Sequence, residues 1–270
     1  MGAKETQRQA ADMALLKEIV AEQQAELAKR SPVPPEVMSR HPSRTFFAFQ
    51  SYDLLSLGAW LLDGQATQWH NLQTLSCQYE FQVFKRAVSL LDSPERNDPS
   101  FFRGNGGYIN IRKTADIFVA WAVGEWDIGQ EIAHLVEKHW DVAKRQDLPL
   151  FQPFARMMID ATTERWGALE GSSQSWIDMA SAKDRNMIGY GDAMLAMARR
   201  DLKAAEAAID KIVKLHAKEA RKSGGHFGGW TDAYLCVWGV GLTKWMRKHG
   251  LAVSARPPLI PEDLVQVGRP

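Results

Sequence analysis

The sequence predicts an all-α protein, a multi-helix bundle built as an array of α-α hairpins. Three observations carry that prediction. Apolar residues recur at helical spacing through almost every segment. The segments between breaks are far longer than strands. No run alternates with the period of two that a half-buried strand requires.

Residues 5–30 are rich in helix formers, with Met13, Leu16, Val20 and Leu27 on the apolar side. The run SPVPPEV at 31–37 then breaks the helix. Residues 1–42 therefore read as an N-terminal helix with a proline-rich linker, ahead of a helical domain over 43–270. A second helix is expected over 43–62, stopped at Asp63-Gly64. A third spans 65–91, where Trp69, Leu72, Leu75, Tyr79, Val83, Phe84 and Leu90 fall near one face. DSPERNDPSFFRGNGG is the longest loop.

Helical pattern resumes over 109–145, with a break expected at Gly124. Another helix is expected over 151–169. EGSSQS at 170–175 reads as a turn whose serines cap a helix over 176–182. Residues 187–200 and 202–222 form a hairpin turned at Arg200-Asp201, and so short a turn makes the pair antiparallel. The last long helix, 230–248, is apolar on nearly every side and belongs at the centre. Gly239 and Gly241 would weaken it unless a neighbouring helix approaches closely there. The tail ARPPLIPEDLVQV is extended at its prolines, with one turn at 261–265.

Of the 270 residues, 45% are hydrophobic, enough for a substantial core. A formal net charge of +1 gives no general attraction to nucleic acid. Cys77 and Cys236, each in a buried helical run, read as free thiols of a reducing compartment, and the cytoplasm is expected. The opening residues lack the apolar core of a secretory signal. The longest apolar run, 233–242, is half of the ~20 residues a membrane span needs, so no membrane partner is expected. Ten tryptophans read as a helical core, because a base-stacking surface would interleave them with cations.

Catalytic, cofactor and metal motifs are absent from this reading. GGHFGG at 224–229 could place His226, but it matches neither phosphate-loop spacing and follows no strand. GNGG at 104–107 fails in the same way. His134 and His139 are five apart, about 140° around a helix, and cannot readily share one ion. No G-x-S-x-G occurs, and neither cysteine has a histidine near it in sequence.

Charge is uneven along the chain. Residues 116–147 hold seven acids against three bases, net −4, and residues 199–222 hold eight bases against four acids, net +4. These are either solvated faces that attract each other or an acidic docking surface for a basic protein. Asp127 and Glu131 share a helix face, as do Glu137 and Asp141. The partner-binding residues expected are Glu125, Trp126, Asp127, Glu131 and Asp141, with Trp126 as the aromatic anchor.

The C-terminal third carries a resemblance. YGDAMLAMARRDLKAAEAAIDKIVKLHAKEA, then WTDAYLCVWGVGLTKWMRKHGLAV, then LIPEDLV is similar to the Immunity protein 49 family. The shared order is a small-residue helix, a tight turn, a helix ending near His216, an apolar helix stopping at Gly250, and a hydrophobic-Pro-acidic segment over 260–264. The family tends to have Gly-Asp where this chain has Arg200-Asp201. The resemblance covers about residues 186–265. It implies an all-helical bacterial antitoxin that binds a cognate toxin, such as a secretion-system effector, and occludes its active site without cofactor or covalent chemistry. A tetratricopeptide-like scaffold with a peptide groove along 186–222 is the alternative. An enzyme or ligand binder using His226 is the third.

Overall fold

The computed structural model describes residues 3–29, 42–94, 109–183, 185–220 and 230–268. The 31–37 break, the loop at 95–108 and the GGHFGG segment with His226 lie outside the described residues. Among those described, twelve α-helices form and no strand does. An antiparallel bridge between Arg256 and Ile260 is isolated. The fold is all-α, and no described helix is long and apolar enough to cross a membrane.

By packing, the chain divides into Met1–Val83 and Phe84–Arg269. The first unit contains α1 (Ala3–Lys29), α2 (Pro42–Leu61) and the first part of α3 (Ala66–Ser89). The narrow apolar stripe of α1 is spent on α2. Leu16 is fully buried, and Val20 sits where a Cβ at Gly58 would be, 2.5 Å from its Cγ2. Ser51 donates to Gln23 Oε1 at 2.6 Å across the same pair. Between α2 and α3, buried Ser56 donates to Gln73 Oε1 at 2.6 Å, and Gln73 donates to Asp53 at 3.0 Å. Such satisfied polar pairs fix a register that apolar packing alone leaves loose.

The second unit contains α4 (Asp116–Val123), α5 (Trp126–Lys138), α6 (Trp140–Ala143), α7 (Gln152–Thr162), α8 (Trp166–Lys183), α9 (Ile188–Ala198), α10 (Leu202–Glu219), α11 (Val237–Lys248) and α12 (Glu262–Gln266). At its centre α11 lies against α4. Gly241 permits this, because a Cβ there would overlap the Phe118 carbonyl oxygen. Gly239 admits Ile260, whose Cδ1 would be 2.6 Å from an added Cβ. The close approach of a neighbouring helix expected at both glycines is present at Gly241, whereas Gly239 makes room for a side chain of the non-helical tail. Around this crossing the aromatics interlock. Trp121 stacks on Trp245 at 4.7 Å, Phe118 on Trp238 at 5.4 Å, and Phe154 meets the edge of Trp176 at 5.2 Å. Four tryptophans (Trp69, Trp121, Trp176 and Trp245) are fully buried, so they are core as expected.

Several boundaries differ from the sequence reading. The 109–145 segment breaks at Gly124, in the left-handed region at φ 77°, but also at His139. The helix expected over 151–169 stops at Thr162, and Glu164 turns the chain at φ 57°. EGSSQS is no turn but the interior of α8. Ser172 and Ser175 donate back to the carbonyls of Ala168 (3.2 Å) and Gly171 (2.9 Å), so the helix itself satisfies them. The final helix begins at Val237, after a 3₁₀ turn at Trp230–Ala233.

The Arg200-Asp201 turn forms as expected. Arg200 takes φ 56°, and Asp201 caps α10 by accepting the Ala204 N–H at 2.9 Å. Arg200 also donates to the His249 carbonyl, tying the hairpin to the end of α11. The tail then folds back. Arg247 pairs bidentately with Glu262 at 2.7 and 2.9 Å, and Arg256 pairs with Glu206 and Asp210 of α10. Lys244 is 4% exposed, and its ammonium donates to the carbonyls of Ala122 (2.8 Å) and Val267 (2.7 Å).

Candidate partner-binding surface

Gly124 ends α4 and lets α5 start at Trp126. The apolar stripe of α5, with Ile132, Ala133 and Val136 buried, turns inward. Asp127 is exposed, while Glu125, Trp126 and Glu131 are part-buried. These four share the N-terminal half of the helix. Asp141 lies on α6, a separate short helix beyond the break at His139. The five residues expected to bind a partner thus fall into two groups.

Several acids of the 116–147 segment are met by bases from outside it. Lys85 holds Glu131 at 2.7 Å, Arg156 and Arg165 hold Glu137 at 3.3 and 2.9 Å, and Arg112 holds Asp147 at 2.8 Å. Lys248 places its ammonium 4.0 Å from the centre of the Trp126 ring. Burial lowers the pKa of that ammonium, and the charges of Glu164 and Asp127 oppose the shift. Asp141 pairs with Lys144 at 2.7 Å, whose hydrogen bond and charge hold its carboxyl below the usual range. The basic segment is offset in the same way: Arg199 pairs with Glu170 and Lys211 with Asp192. None of these pairs joins one segment to the other.

A cleft of about 640 Å³ opens at Trp140, lined also by Pro149, Pro153, Arg156, Ser175 and Met179 among others. The Arg156 guanidinium stacks on Trp140 at 3.8 Å. Leu148, next to Pro149, is 58% exposed, the most exposed large apolar residue described. Asp160 also lines the cleft and pairs with Arg165 at 2.9 Å. Apolar walls with a guanidinium and hydroxyls suit an anchoring side chain with an apolar body and an acceptor at its tip. Sequence reading placed Trp140 in the core and gave Arg156 no role. Their stacking joins residues sixteen apart on two elements, which no helical spacing reveals.

A second, smaller groove of about 370 Å³ runs between α9 and α10, with Asp192, Leu195, Arg199, Ala204 and Lys211 along it. Compared with protein-family models, with curated proteins and with solved structures, the chain matches none.

Proposed function

We propose that this protein is an immunity protein, an antitoxin that binds a cognate toxin or effector domain and occludes it without covalent chemistry. The observation that carries the reading is the Trp140–Arg156 cleft, with exposed Leu148 next in sequence to its lining residue Pro149. It offers an aromatic, an arginine and an apolar edge, the residue types that dominate binding hot spots. The similarity of residues 186–265 to Immunity protein 49 supplies the class of partner. Glu125, Trp126, Asp127 and Glu131 extend the interface along α5.

Co-expression with the protein encoded immediately upstream tests the reading. Rescue of viability together with a stable complex is the expected result, and Trp140→Ala should weaken that complex by about 2 kcal/mol, roughly thirty-fold in Kd. Absence of both rescue and complex overturns it. A scaffold role is the second reading, favoured by the groove between α9 and α10. Its mark would be an extended peptide whose binding is lost in Leu195→Asp while Trp140→Ala leaves it intact.

A further inference from the structure

The basic segment of the chain contributes α10, which packs on α9 with a groove between them. The floor of that groove is apolar and small. Part-buried Leu195 comes from α9, and exposed Ala204 and Ala207 and buried Ala208 from α10. At about 370 Å³ it stands at the small end of the ~300–1,000 Å³ of ligand clefts, so it suits one anchoring side chain.

Helical period puts the lysines of α10 along one edge of this groove. At about 100° per residue, Lys203, Lys211, Lys214 and Lys218 fall within an arc of about 80°, and Ala207 lies inside it. All four lysines are exposed. Lys211 reaches across the groove to Asp192 at 2.6 Å. Lys203, Lys214 and Lys218 pair with no acid among the described residues.

The acids that could neutralise them are engaged elsewhere. Arg256 of the tail pairs with Glu206 and Asp210. Glu206 also accepts the N–H and Oγ–H of Ser254 at 2.8 and 3.0 Å. Within the groove, Asp192 is held by Lys211, and Asp201 accepts the Ala204 N–H at 2.9 Å. The folded tail thus leaves α10 with an apolar groove edged by cations.

We propose that this groove binds an acidic peptide segment of a partner protein. One apolar side chain of the segment seats on Leu195, and its carboxylates meet Lys203, Lys214 and Lys218. The proposal rests on the second reading of function, that the groove takes a peptide, and is independent of the Trp140 cleft. Lys203 and Lys218 are about 22 Å apart by helical rise, the length of about seven residues of extended chain. A nucleic acid fits less well. Among the described residues no aromatic ring lines the groove to stack a base, and Asp192 and Asp201 on its walls would repel a continuous phosphate chain. A peptide can space its carboxylates to the lysines and lay an apolar side chain between them.

The test selects a displayed library of random short peptides on the immobilised full chain. The enriched peptides are expected to be rich in Asp and Glu, with an apolar residue among them. The strongest is then synthesised and its affinity measured at low salt. Replacing Lys203 and Lys214 together by glutamine should weaken it about five-fold, and Leu195→Asp should abolish binding. Trp140→Ala should leave it unchanged. Ala207→Glu, at an exposed floor position, takes the place of Leu195→Asp if circular dichroism shows that variant unfolded. Enriched peptides that need Leu195 but carry no acidic bias overturn the proposal and leave the groove reading standing. If no enriched peptide depends on Leu195 or Ala207, both fall. A single-stranded oligonucleotide that binds more tightly than the peptide, and is lost in the same lysine variant, overturns the proposal in favour of nucleic acid.

Discussion

Gly241 shows how much one missing methyl group can settle. A Cβ at that position would overlap the Phe118 carbonyl oxygen, which is backbone and has no rotamer to change. Gly241→Ala should therefore separate α11 from α4 and cost about 2–3 kcal/mol, read as a lowered denaturant midpoint. His216 gives a residue-scale prediction with a pH sign. Its folded value is raised from 6.5 to about 9. A raised group stabilises the fold fully below the unfolded value, and that stability is lost as pH rises through the folded one. Urea unfolding across this window should show a loss of up to ~3 kcal/mol, and His216→Gln should flatten it. Gly241 was legible in the sequence, because glycine in an apolar helix already asks for a close neighbour. The contact of His216 with the Asp232 carbonyl was not, because sixteen residues separate them and no helical spacing joins them.

At the scale of elements, the sequence announced helices better than it announced their ends. Period and composition alone located α1, α2, α3 and the α9–α10 hairpin. Interior stops went unseen at Glu164 and His139, because neither is the glycine or proline that signals a stop. The serines of α8 misled in the opposite direction. Ser172 and Ser175 look like caps, yet the helix's own carbonyls accept from their hydroxyls. The cap that does exist is Asp201, whose carboxylate accepts the Ala204 N–H. Asp201→Ala should cost about 1 kcal/mol and fray the start of α10, visible as faster exchange of the first amides of that helix.

For the whole molecule, charge and the tail matter most. The −4 of residues 116–147 does not survive as a bare acidic surface, because Lys85, Arg112, Arg156 and Arg165 come from outside the segment to meet it. Exposed pairs of this kind contribute little stability. Reversing both Asp127 and Glu131 to lysine should slow association with the partner several-fold at low salt and hardly alter dissociation. Unchanged neutralisation by that double variant would put the interface elsewhere. Lys244 holds the tail from inside. Lys244→Met should leave the Ala122 and Val267 carbonyls without their buried donor, costing about 3 kcal/mol, and limited proteolysis should then cut within the 259–268 segment first.

The Lys244 clasp has a consequence in time as well as in space. The Ala122 carbonyl receives its ammonium from a residue 122 positions later, and Val267 must follow before the clasp closes. At common translation rates the first interval alone lasts about 6–24 s. Throughout it α4, with Ile117, Phe118 and Trp121 that end almost fully buried, has no α11 to cover it. The second unit thus belongs to the chains that finish folding only once translation has passed their last packed residue. A nascent chain stalled at residue 235 should be cut by protease within α4, whereas one extended by a linker that carries Gly268 clear of the ribosome should resist. For this protein, the window of exposure to chaperones is set by the position of one lysine.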